Sequence, residues 1–201
     1  MNFKDDAVRL GNFDITPLRR RVEALDEASW NADTSRQQTF DAHTRTQTIK
    51  LIFDADYRHS DPTIHADFAV FEPLMAPMMD HIRAHYLQSL RQRRVAEKNG
   101  PGYFVRALLT RLAAAAEIAP HADDGYSLRR CHRIHVPVIT NPDCLFTVGG
   151  LTFAMPEGEM WEINNRRIHA LSNGGVQPRI HLILDYVQPG ETVFDIEPLT
   201  A

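Results

Sequence analysis

From Tyr103 to Val187 the chain breaks into short strand-like segments separated by Gly, Pro, Asn and Asp. The segments read as Tyr103–Leu112, Arg129–Pro137, Leu145–Val148, Thr152–Met155, Gly158–Ile163, Ile168–Ser172 and Arg179–Val187. Strands at a spacing of about 8–12 residues with turn signals between them indicate a β-sandwich or small barrel. The Ala113–Ala116 run stays ambiguous, because alanine favours helix.

The first half has a different texture. Thr16-Pro17 offers a capping residue followed by proline at the first helical position, and Leu18, Val22 and Leu25 recur at helical spacing. These residues predict a helix over Thr16 to Trp30. Thr46 to Phe53 alternates and reads as a strand. Leu74, Met78, Ile82, Tyr86 and Leu90 form an i, i+4 ladder that predicts one long amphipathic helix over Phe71 to Arg94. The basic run Arg91 to Arg94 then reads as the solvated end of that helix. The expected architecture is mainly β with N-terminal helices, a helical front packed on a jelly-roll-like back. No internal repeat or Gly/Ser linker interrupts the chain. Residues 1–201 are therefore expected to form one domain, with a mostly helical front over 1–100 and a β core carrying the site over 101–201.

Composition matters mainly for what it excludes. With 43% apolar and 24% charged residues, the chain is neither disordered nor fibrous in type. A net charge of −4 implies no basic face for nucleic acid. No apolar run approaches the roughly 20 residues needed to span a bilayer, so no membrane partner is expected. Two cysteines, and a first segment without the features of an export signal, suggest a reducing, cytoplasmic setting.

Histidine is the outlier: five of the ten fall between residues 121 and 181. His121 and Asp123 are two residues apart, so an extended strand would point both toward one ion. His169 follows a run of further strands. Two imidazoles and one carboxylate make the facial ligand set of non-haem Fe(II) sites, leaving positions open for a keto acid and dioxygen. Arg179, at the head of the apolar strand Ile180–Leu184, is of the type suited to bidentate capture of a distal carboxylate, as in 2-oxoglutarate. Each residue alone has a bland reading. His121 can be an ordinary histidine, Asp123-Asp124-Gly125 a turn, and Arg179 a structural ion-pair partner.

The order of motifs resembles the aspartyl/asparaginyl β-hydroxylase family. Arg133 to Pro142 (RIHVPVITNP), Met155, Gly158 to Asn165 (GEMWEINN), His169, Asn173 and Arg179 to Asp185 (RIHLILD) carry the likeness over residues 104 to 187. The upstream His43-x-x-Thr46 is similar to the family's entry segment. The resemblance implies a double-stranded β-helix, cupin-like, using Fe(II), 2-oxoglutarate and O2, with succinate and CO2 as co-products of hydroxylation. It implies that His121 and His169 bind iron and that Arg179 binds the far carboxylate of the keto acid. Arg133 and His135 match an Arg-x-His pair that also contacts this cosubstrate, and Thr110 stands where animal members carry a cosubstrate-binding serine. Those animal members lack the iron carboxylate, whereas this chain keeps Asp123. The implied substrate is an amino acid or an Asp/Asn-type side chain, free, peptide-borne or carrier-bound.

Trp161 or Asn164 is a candidate pocket wall; the plain alternative is a packed Trp and a turn-forming Asn pair. His181 shares a strand face with Arg179, so it either approaches the cosubstrate or is a buried hydrogen-bonded histidine. His132 should face away from Arg133 and His135. His81 and His85 lie one helical turn apart but lack a third ligand. Two rival functions remain at this point, a cupin-like metal-binding sensor without turnover and a cupin-type dioxygenase that does not use 2-oxoglutarate. The sequence leaves the oligomeric state open.

Overall fold

Side-chain parity along the central strands determines what faces what in the computed structural model, which describes residues 4–35, 44–55, 58–123, 125–191 and 193. The strands are β1 (Ala7–Asn12), β2 (Thr46–Phe53), β3 (Thr63–Ile64), β4 (Tyr103–Leu112), β5 (Ala116–His121), β6 (His132–Ile139), β7 (Cys144–Val148), β8 (Leu151–Ala154), β9 (Glu159–Ile163), β10 (His169–Asn173) and β11 (Arg179–Val187). A seven-stranded sheet runs β1-β9-β6-β11-β4-β2-β3, and a four-stranded sheet runs β5-β10-β7-β8. From β4 to β11 the chain passes back and forth between the two sheets, and among the described residues every strand pair is antiparallel. This is the jelly roll of a double-stranded β-helix.

Every residue of β11 is buried, because both faces of the larger sheet are covered. Ile180, Leu182, Leu184 and Tyr186 join the larger core, with Ile134, Val136 and Val138 of β6 and Ala107 and Leu109 of β4. Leu18, Val22, Met75, Met78 and Ile82 close this core from the helical side. Burying each such side chain fully contributes roughly 1.5–3 kcal/mol relative to exposure. The opposite parity, Arg179, His181, Ile183 and Asp185 on β11 and Arg133 and His135 on β6, faces away from those helices. A second apolar cluster of Leu112, Phe146, Val148, Met155, Ile163 and Leu171 lies on that side, drawing on strands of both sheets.

The helices depart from the expected lengths. The predicted Thr16–Trp30 helix is two, α1 (Thr16–Glu23) and α2 (Glu27–Asn31). Thr16 is not the cap; its N–H donates to Asp14 Oδ1 at 2.9 Å. Asp26 stops and restarts the chain, its Oδ1 accepting the Ser29 N–H at 2.8 Å. Likewise the predicted Phe71–Arg94 helix is α3 (Phe68–His85) and α4 (Leu90–Asn99). Ser89 and Gln92 form a capping box at the new start, so Leu90 leaves the apolar stripe and is 70% exposed. The strand expected from Arg129 begins only at His132, because Leu128–Arg130 forms a 3₁₀ turn. Ala113–Ala116 is not helical: it turns through Ala115 at φ +49° and enters β5. Among the described residues no helix is long and apolar enough to cross a membrane.

Candidate metal centre and keto-acid pocket

Strand pairing brings the two candidate histidines together. β5 and β10 run antiparallel with His121 directly opposite His169, and their ring centroids lie 4.3 Å apart. Opposed residues project from the same face at close range, so histidines far apart in sequence become neighbours. His121 Nδ1 donates to the Ala119 carbonyl at 2.8 Å, and His169 Nδ1 donates to the Arg167 carbonyl at 2.9 Å. A carbonyl can only accept, so each Nδ1 carries a proton, and Nε2 is the nitrogen whose lone pair a metal would use. Burial holds His169 below the usual imidazole range, which keeps that lone pair available.

Asp123 reaches the same place by another route. β5 ends at His121, so strand alternation does not extend to Asp123. Instead the Asp123 N–H donates to the Asn165 carbonyl at 3.0 Å, and Asn165 Nδ2 donates to the Leu128 carbonyl at 2.8 Å. Farther along the loop, Ser127 Oγ donates to buried Asp54 at 2.7 Å, which also accepts Arg106 Nε at 2.6 Å. Asp123 is thereby set with Oδ1 4.0 Å from His121 Nε2 and Oδ2 3.8 Å from His169 Nε2. One ligand atom from each of the three lies within 4.8 Å of the others. Burial would raise the Asp123 carboxyl, but Arg133, His169 and His121 outweigh it and hold it below the usual carboxylate range. Two imidazole nitrogens and an ionised carboxylate fit a divalent iron with open coordination positions.

One cavity is bordered by all three of these residues together with Thr110, Arg133, His135 and Arg179. Phe146, Leu171 and Ile183 supply apolar wall. Arg179 is 2% exposed, and among the described residues no carboxylate pairs with it. Its Nε has no hydrogen-bond partner, and Nη2 donates to His181 Nδ1. Burial depresses this guanidinium to about 9. A buried cation without an acid beside a cavity fits a ligand that brings its own carboxylate. His135 Nε2 is likewise buried without a partner.

The other expected residues divide. Thr110 borders the cavity, with only a long 3.5 Å contact from Oγ1 to the His181 carbonyl. Arg133 borders it too, but its guanidinium is already shared by two carboxylates. Nε and Nη2 donate to Asp185 at 2.9 and 2.7 Å, and Nη1 donates to Asp123 at 2.6 Å. These bonds make Arg133 a brace for Asp123. Trp161 and Asn164, expected as pocket walls, are not among the cavity's lining residues. Trp161 packs against Phe153, its Nε1 donating to Glu159 at 3.0 Å, and Asn164 Nδ2 donates to the Asp5 carbonyl at 3.3 Å. The parity that buries Ile163 with the second cluster takes Trp161 to the same side but toward β8. His132 faces the helices, as expected, between Glu162 and Glu191. His43 lies outside the described residues. Asp185 carries no role in the sequence reading, although an acid on the inward parity of an apolar strand signals a buried cation nearby.

A family model described as Aspartyl/Asparaginyl beta-hydroxylase matches residues 81–189, more than half of the chain. A search of curated proteins finds no match. Among solved structures, an oxidoreductase of the 2OG-Fe(II) oxygenase family from Burkholderia pseudomallei is similar at 12% identity and TM-score 0.56, over 94% of this chain and 87% of that one. AviO1 from Streptomyces viridochromogenes aligns at 15% identity and TM-score 0.49, over 94% and 92% of the two chains. At such identity the first of these likenesses shows the shared fold.

Proposed function

The chain belongs to the aspartyl/asparaginyl β-hydroxylase family, and from that premise we propose that it is an Fe(II)- and 2-oxoglutarate-dependent hydroxylase. Its substrate on this reading is an unactivated C–H bond of an amino acid or an Asp/Asn-type side chain, in a small molecule, a peptide or a carrier-bound form. Iron with 2-oxoglutarate would supply dioxygen activation, one oxygen atom going to the substrate and the other to succinate, with release of CO2.

The observation that carries this reading is the buried Arg179 guanidinium, paired with no carboxylate among the described residues, in the wall of the cavity that His121, Asp123 and His169 also border. His121 and His169 would each offer Nε2 to the metal, and Asp123 an oxygen. Arg179 would bind the far carboxylate of the keto acid through its fork, with Thr110 and the open Nε2 of His135 as further polar contacts. Arg133 would keep Asp123 ionised and oriented, and Phe146, Leu171 and Ile183 would limit water beside the reacting groups. A metal-binding sensor, or a dioxygenase that does not use a keto dicarboxylate, has no need for a buried guanidinium without an acid. On this reading residues 1–201 form one cytoplasmic domain whose eight strands β4–β11 carry the chemistry, with Cys131 and Cys144 as free thiols.

The test is anaerobic titration of the Fe(II)-loaded protein with 2-oxoglutarate. A weak visible metal-to-ligand charge-transfer band is expected in the wild type and should be lost in Arg179→Ala. No band in the wild type, and no succinate formed under O2 with a panel of amino acids and Asp/Asn peptides, would refute the proposal.

A further inference from the structure

Arg179 is held from one side by a residue that does not border the metal cavity. His181, two residues along β11 and 2% exposed, accepts Nη2 of Arg179 on its Nδ1. A guanidinium has only donors, so this Nδ1 must be the unprotonated nitrogen. Burial, reinforced by the Arg179 charge, holds His181 well below the usual imidazole range, so the ring stays neutral and available as an acceptor. His135 Nδ1 lies 3.4 Å from the same atom, too far to compete strongly for its lone pair.

Beside this pair is a second, small void of about 10 Å³, bordered by Arg179, His181, Cys144 and Met155. Arg179 borders both spaces, and His181 borders only the void. The guanidinium therefore has free volume on two sides. With Nε unpaired, the hydrogen bond to His181 Nδ1 fixes its rotation. A fork that must meet a carboxylate with two parallel N–H groups depends on that rotation.

Given the cosubstrate reading above, we infer that His181 is a positioning residue for the keto-acid site. Its Nδ1 sets the plane of the Arg179 guanidinium and so gives the pocket its preference for a keto acid bearing a second, distal carboxylate. His181 touches neither metal nor cosubstrate and acts only through Arg179.

The experiment compares binding of 2-oxoglutarate and of 2-oxobutyrate, which lacks the distal carboxylate, to anaerobic Fe(II)-loaded protein by calorimetry. In His181→Leu, 2-oxoglutarate should bind about ten- to a hundredfold more weakly, the worth of a hydrogen bond to a charged group. Binding of 2-oxobutyrate should stay as in the wild type. His181→Asn, which returns an acceptor oxygen close to the Nδ1 position, should recover most of the lost affinity. If His181→Leu fails to fold, His181→Asp carries the test. Its carboxylate pairs with Arg179, satisfies the buried charge and should erase the preference for 2-oxoglutarate. An undiminished preference in the Leu or Asp variant, or equal weakening toward both keto acids, overturns the role of His181. Wild-type protein that binds neither keto acid overturns the cosubstrate reading itself, and this inference with it.

Discussion

Arg133 on β6 and Asp185 on β11 are cross-strand register partners joined by two buried hydrogen bonds, and the third arm of the same guanidinium holds Asp123 at 2.6 Å. Burial would lower the Arg133 guanidinium, but Asp123 and Asp185 outweigh that and push it up. Removing one partner of a buried ion pair leaves a charge without compensation, at a cost of about 3–5 kcal/mol. Asp185→Ala should lose stability of that order in urea unfolding. It should also weaken Co(II) binding, because Arg133 no longer holds Asp123 in place. A variant with unchanged unfolding midpoint and unchanged Co(II) affinity would show that the brace has no such role.

Asp123→Ala separates the ligand from its brace. Arg133 keeps Asp185, so the stability loss should be smaller than in Asp185→Ala. Metal retention should fall strongly, since the cluster loses its only anionic ligand. Metal content after gel filtration checks the first effect and succinate formation the second. Near-normal turnover in this variant would mean that two histidines suffice.

On the helix-facing side of the same sheet, His132 is held 2.6 Å from Glu162 and 3.2 Å from Glu191. Burial alone would lower its pKa, but the two carboxylates outweigh it and raise it from 6.5 to about 9. Between those values the folded protein holds a proton that the unfolded chain has released. Its contribution to stability is fully present below pH 6.5 and is lost as pH rises through about 9. Thermal melting across this window should show a decline in the wild type that is flatter in His132→Gln. Parallel profiles for the two proteins would remove His132 as the cause.

Gly158 sits at φ +77°, and a Cβ there would approach the Phe13 carbonyl oxygen to 2.5 Å. Gly158→Ala should cost about 1–3 kcal/mol through backbone strain and that clash. The joint between β1 and β9 lies away from the cavity, so keto-acid affinity should stay unchanged. A neutral effect on the urea midpoint would show that the turn can relax.

Trp161 offers a control. Because it packs on Phe153 outside the cavity lining, Trp161→Phe should leave 2-oxoglutarate affinity as in the wild type. A tenfold loss would return Trp161 to the pocket.

Apart from the start of β6, the strands expected between Tyr103 and Val187 were legible in the sequence to within a residue or so, and β4 and β11 begin and end where the sequence places them. β1 was not, since Ala7–Asn12 is only half-buried at a sheet edge and shows no clean alternation. The helix breaks at Asp26 and Ser89 are written as caps, but the apolar ladder running through them hid the signal. At the site, the residues named as metal ligands and Arg179 could be grouped by type and order. What Arg133 does could not, because its partners sit on another strand and a loop, joined by register and not by spacing. Asp123 shows the same limit: its proximity to His121 is local in sequence, but Asn165 and Arg133 hold it there.

His121 and His169 stand on the four-stranded sheet, while Arg179 stands on the seven-stranded one. The span from the histidine pair to the guanidinium is therefore the gap between two layers and not a length along any strand. Phe146 and Leu171 from one layer and Leu112 and Ile163 from the other are the shims that set it. If a keto acid bridges that span, the sandwich works as a gauge, and its thickness selects the length of the dicarboxylate. Trimming or enlarging a shim would recalibrate the gauge without altering His121, Asp123, His169 or Arg179.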